Sequence, residues 1–189
     1  AKNVKYTIFI DNILDHIQNG RKYSNDEQYG TTLPEIARCC AITCREFYLH
    51  KKTKIIPRKV QVLAVLRLVD EVLNGKSEGV ISEIKTGEGK SLIITIVSII
   101  LVYFYNRTVD IVTSNMQLAK RDQVEQFKYF KLFNIQTGVL LHKESDKEYL
   151  DYCLTFAGNN KVEHNYNTDV FEFPVVYSTN HNFEFVYLF

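Results

Sequence analysis

The spacing of apolar positions divides the chain into a helical first part and an alternating second part. From Tyr6 to Gln18, the residues Ile8, Phe9, Ile13, Leu14 and Ile17 fall at helical intervals, and Gly20 is placed to end the helix in a left-handed cap. The polar stretch from Arg21 to Thr32, with Ser24, Asn25, Asp26 and Gly30, reads as a linker. Leu33-Pro34-Glu35 then opens a second helix running to Lys51, because proline suits a first helical turn. Its apolar stripe is Ile36, Ala37, Cys40, Ala41, Cys44, Phe47 and Tyr48, and its basic end, His50-Lys51-Lys52, suits a helix C-terminus. After Pro57, a third helix spans Val60 to Leu73, with Val62, Leu63, Val65, Leu66, Val69 and Leu73 facing inward and Asn74-Gly75 stopping it.

From Gly79 onward the pattern changes to short β-branched runs: Val80 to Ile84, Val109 to Thr113, Gln136 to Leu141 and Val175 to Ser178. Helices from Lys90 to Tyr105 and from Met116 to Phe133 separate the first three. Strand and helix in alternation predict βαβ units, hence an α/β fold with a mainly parallel sheet, preceded by N-terminal helices. The stretch from Lys143 to Phe173 departs from this pattern. Lys143 to Tyr152 reads as a surface helix, and Ala157-Gly158-Asn159-Asn160-Lys161 as a turn joining two strands of a hairpin insertion.

Composition narrows the class. With 46% hydrophobic residues in 189, the chain can build a sizeable core, and 23 basic against 22 acidic residues give no whole-chain charge argument for nucleic acid or anionic membrane. Cys39, Cys40 and Cys44 crowd into the second helix and Cys153 stands apart. No further histidine or cysteine pair completes tetrahedral zinc spacing, so the thiols read as buried and reduced, and the expected location is intracellular and cytoplasmic. The N-terminus carries no secretory signal pattern, and the apolar run from Leu92 to Tyr105 is short of the ~20 residues that a membrane-spanning helix needs.

The candidate chemistry lies at Lys85-Thr86-Gly87-Glu88-Gly89-Lys90-Ser91, directly after an expected strand and directly before a hydrophobic helix. Gly87 and Gly89 let the backbone curl with its N–H groups inward, and the helix N-terminus adds positive potential. Lys90 can then reach β and γ phosphates, and the Ser91 hydroxyl can bind Mg²⁺. Ile84 stands where the strict phosphate-loop pattern has its first glycine.

The string Glu83 to Ser91 resembles the phosphate loop of SecA-type preprotein translocase ATPases, in which a hydrophobic residue also occupies the place of Ile84. Val112-Thr113-Ser114-Asn115-Met116-Gln117-Leu118-Ala119-Lys120-Arg121-Asp122 is similar to that family's second motor motif, and the segment from Val176 to Leu188 to its third. Leu33-Pro34-Glu35 and Val60-Gln61 are similar to the segment that precedes its motor core. The resemblance covers Leu33 to Phe189 and implies a RecA-like nucleotide-binding domain, with residues 1–32 as an N-terminal helix and linker. It further implies ATP and Mg²⁺ as ligands, Gln61 as reader of adenine, and Thr86, Gly87, Glu88, Gly89, Lys90 and Ser91 as the phosphate site. Arg121 and Asp122 would line an interlobe cleft; on the residues alone they also suit a salt bridge or cap at a helix head.

The resemblance has departures. Glu184, Val186 and Phe189 replace the glycine, aspartate and arginine usual in the third motif. The family's acidic Mg²⁺-binding motif and its second lobe, with a γ-phosphate-sensing arginine, do not occur in these residues. The expectation is an ATP-binding lobe of a protein-translocation motor that does not hydrolyse efficiently by itself, with other protein chains or a second motor lobe as partners. Two alternatives remain at this stage: a degenerate, non-catalytic module of a larger assembly, and a helicase-like lobe. Against the latter, Phe127, Tyr129, Phe130 and Phe133 fit core packing, with Lys128 and Lys131 outward, better than a base-stacking platform. His16, His50, His142, His164 and His181 have no partners at ligand spacing.

Overall fold

The computed structural model describes residues 4–19, 32–50, 54–75, 79–140 and 173–188. The expected surface helix from Lys143, the hairpin insertion, the linker from Arg21 and Cys153 lie outside them. The chain forms two compact units, Ala1–Asn106 and Arg107–Phe189, each built around its own core.

In the first unit, α1 (Val4–Asn19), α2 (Thr32–Leu49) and α3 (Lys59–Asn74) pack on one another, and α4 (Lys90–Ile99) packs on α2 and α3. The amphipathic stripes read from the sequence form the contacts. Ile13, Ile17, Ile36, Ala37, Cys40, Ala41, Cys44, Phe47, Val65, Leu66 and Val69 are all fully buried. Burying each large aliphatic side chain stabilises by about 1.5–3 kcal/mol. Polar links also join the helices. Tyr6 donates to Asp70 at 2.8 Å, Lys59 pairs with Asp11 at 2.7 Å, and the Arg45 guanidinium donates to the Ile17 carbonyl.

The thiols of Cys39, Cys40 and Cys44 are buried and unbridged, as expected for three of the four cysteines. Burial pushes the Cys39 thiol up to about 12, helped by the neighbouring Glu35 carboxylate. The hydrogen bond with Cys40, together with burial, raises Cys44 well above the usual thiol range. Burial likewise pushes Tyr105 up to about 12, beside the same Cys39, Glu35 and Arg38.

Two expectations change here. The run from Val80 to Ile84 is not a strand: no ladder pairs it among the described residues, and Ile81 is 102% exposed. A β-branched sequence makes extended backbone favourable, yet a strand exists only where a neighbour takes up its N–H and C=O groups. The helix expected from Lys90 to Tyr105 is α-helical only to Ile99 and then widens into a π-helical turn, Ile100–Phe104.

In the second unit, β1 (Val109–Thr113), β2 (Thr137–Val139) and β3 (Val175–Thr179) form a parallel sheet in the order β1-β3-β2. The fold is thus α/β with a parallel sheet, as the alternation predicts. β3 is central, and Val175, Val176, Tyr177 and Ser178 are buried accordingly. β2 is shorter than expected, although the Leu140 N–H still donates to the Tyr177 carbonyl at 3.0 Å.

α5 (Met116–Phe130) covers the sheet, capped by the Asn115 side chain accepting from the Leu118 N–H at 2.9 Å. It tightens into a 3-10 turn, Lys131–Phe133, and Asn134 ends it at a φ of 54° in the left-handed region. Tyr129, Phe130 and Phe133 are buried while Lys128 and Lys131 face solvent, which is the core-packing arrangement. Last comes α6 (Asn180–Leu188), whose Phe183 packs with Leu140 and Val176.

Candidate functional site: a glycine loop at the head of a helix

Residues 85–89 make a turn in which the Glu88 N–H donates to the Lys85 carbonyl at 3.2 Å, and the chain enters α4 at Lys90. Two positive φ angles set the curl, 83° at Gly87 and 77° at Gly89, the latter being the N-cap of α4. Both lie where a side chain is costly by roughly 1–2 kcal/mol. At Gly87 nothing lies within 4 Å of where a Cβ would sit, so the loop's surface is open there. At Gly89 a Cβ would meet Gln61 Nε2 at 2.4 Å.

That contact belongs to a brace running from α3 to the loop. Gln61 is buried in the first turn of α3, and its Oε1 accepts from the Arg58 N–H at 2.8 Å, the glutamine half of a capping box. Its Nε2 donates to the Glu88 carbonyl at 2.9 Å. Arg58 closes the arrangement with an ion pair to the Glu88 carboxylate at 2.9 Å.

The sequence-predicted residues Gln61, Glu88 and Gly89 therefore touch one another. Lys85, Thr86 and Lys90 are exposed along the loop, and Ser91 is half-buried in the first turn of α4, where its carbonyl accepts from the Thr95 hydroxyl at 2.8 Å. The first N–H groups of any α-helix have no intrahelical acceptor and carry partial positive charge, so the loop offers donors to an anion. Sequence reasoning missed Arg58. Its one available signal was its place at the N-cap of α3, three residues before Gln61.

Arg121 and Asp122 lie in the second unit, in the first turns of α5. The exposed Arg121 donates from Nε and Nη2 to Asp122 Oδ1 at 3.0 and 2.7 Å, and this pairing raises the Arg121 pKa. Such a pair between adjacent side chains at the surface contributes little to stability. Among the described residues, no group of three His, Cys, Asp or Glu side chains is arranged to hold a metal ion, and no helix is long and apolar enough to cross a membrane.

A family model, the SecA DEAD-like domain, matches residues 10–189. The protein translocase subunit SecA of Antithamnion sp. is 30% identical over 164 residues, covering 84% of this chain and 18% of that protein. SecA of Clostridium novyi (strain NT) is 31% identical over 176 residues, covering 89% and 21%, and SecA 1 of Clostridioides difficile (strain 630) is 35% identical over 95 residues, covering 49% and 10%. The chain thus spans a fifth or less of the length of most of these relatives and 21% of the Clostridium novyi protein. The family match covers nearly the whole chain and includes both the glycine loop and the α3 brace: the chain belongs to the SecA DEAD-like domain family.

Proposed function

We propose that residues 85–91 bind the phosphates of ATP and that the chain is the nucleotide-binding lobe of a SecA-like protein-translocation motor. The observation that carries this reading is the loop itself. Two glycines at positive φ lead into a helix N-terminus, followed at once by Lys90 and Ser91. The backbone N–H groups and Lys90 would hold β and γ phosphates, and Ser91 would share Mg²⁺ with the nucleotide. Bound Mg²⁺ supplies charge neutralisation between the phosphates. Gln61 would read adenine from the base of α3, and Arg121 and Asp122 would face a second motor lobe or another protein chain. The domain is taken as residues 33–189, with 1–32 as an N-terminal helix and linker.

Binding of a fluorescent ATP analogue at equilibrium tests this reading. Lys90→Ala is expected to weaken affinity by about tenfold or more, because a charge-assisted hydrogen bond contributes roughly 1.5–3 kcal/mol. Equal affinity in the two proteins rejects the phosphate assignment.

A second reading, a non-catalytic module of a larger assembly, is favoured by Glu184, which departs from the family's third motif and accepts a surface hydrogen bond from Asn180 at 2.6 Å. The two readings diverge in turnover. An assembly containing this chain whose phosphate release is abolished by Lys90→Ala supports the motor, and one whose release is unchanged supports the module.

A further inference from the structure

We propose that Arg58 is a positioning residue that neutralises the phosphate loop's own carboxylate, Glu88, so that the loop can accept a polyphosphate. The inference rests on the reading of residues 85–91 as a phosphate site. A glutamate within such a loop opposes its ligand, since it places a negative charge beside the anion. Here that charge is held by the Arg58 guanidinium at 2.9 Å.

Glu88 is gripped from α3 twice. Its carboxylate is paired by the Arg58 side chain, and its carbonyl accepts from Gln61, whose Oε1 in turn accepts from the Arg58 N–H. The Arg58 side chain therefore holds the charge of the loop's central residue, while Gln61, oriented by the Arg58 main-chain N–H, holds its carbonyl. With Arg58 and Glu88 side chains 54% and 39% exposed, the pair contributes little to folding. Its consequence falls on the ligand, whose several negative charges feel an unneutralised Glu88 through Coulomb repulsion that grows with phosphate number.

The test is isothermal titration of the whole chain with MgATP, MgADP and AMP, using Arg58→Ala, Arg58→Lys, Glu88→Gln and the Arg58→Ala/Glu88→Gln pair, with circular dichroism showing each to be folded. Arg58→Ala is expected to weaken MgATP by about fivefold, MgADP by less and AMP hardly at all, and the loss should shrink at high salt. Arg58→Lys should retain most of the affinity, Glu88→Gln should tighten MgATP, and the double variant should bind nearly as tightly as Glu88→Gln alone. An Arg58→Ala loss that persists undiminished in the Glu88→Gln background overturns the inference, as does no loss at all. Absence of MgATP binding by the unmodified chain is a different failure: it rejects the phosphate site itself, and this inference with it.

Discussion

Gly89 carries two constraints at once, a left-handed backbone and the Gln61 amide where a Cβ would go. Gly87 carries only the first. Gly87→Ala is therefore expected to destabilise by about 1–2 kcal/mol, the cost of left-handed backbone, and Gly89→Ala by more, with weakened nucleotide binding. Urea unfolding of the first unit's helical signal measures the difference; equal losses at both positions contradict the placement of Gln61. The glycines were legible in the sequence because their spacing before Lys90-Ser91 has few other uses. The brace was not, because it joins positions 27 residues apart, and an arginine opening a helix looks like any solvated side chain.

Among the elements, α2 and Tyr105, the residue that caps the π-helical turn, share a titratable cluster that predicts a pH dependence. Cys39 and Tyr105 have folded pKa values raised to about 12, above the ordinary 9.0 and 10.0. Both are neutral when protonated, so the folded form holds these protons more tightly than the unfolded chain. Their contribution is fully present below the unfolded values and is lost as pH rises from about 9 toward 12. Alkaline unfolding should begin in that window, and Cys39→Ser, which removes the titrating thiol, should move the onset upward. At neutral pH the three described thiols should resist alkylation until the chain unfolds, which a thiol reagent with and without urea will show.

In the second unit, Gln123 Nε2 donates to the Thr137 hydroxyl at 2.8 Å, both side chains buried, and ties α5 to β2. Gln123→Ala strands that hydroxyl and is expected to cost about 1–3 kcal/mol in urea unfolding, whereas Gln117→Ala, on the exposed face, should change stability by no more than about 0.5 kcal/mol. Helix existence was legible from periodicity because the same stripe that sets the period makes the contact. The strand at 80–84 was misread for the complementary reason: strandedness belongs to a pair of segments, and β-branched residues report on only one of them. The π-helical widening after Ile99 has no counterpart in the apolar spacing, which fits either helix type over so few residues.

For the molecule as a whole, the sequence pattern led to the right class, a parallel α/β arrangement with helices before it, because alternation of element types constrains topology more than any single element does. Candidate residues stand out in the sequence where the proposed chemistry demands a particular residue type, as at Lys90 and Ser91, and less so where, as at Arg121 and Asp122, the proposed interlobe role and a local ion pair would use the same side chains. The glycine loop heading α4 is proposed to take the nucleotide's phosphates. Amide chemical-shift mapping of the labelled chain during MgATP titration tests it most directly. The largest saturable shifts are expected at Gly87, Glu88, Gly89, Lys90 and Ser91, with Gln61 following, and they should be lost in Lys90→Ala. Saturable shifts centred elsewhere, with the loop unmoved, would contradict it.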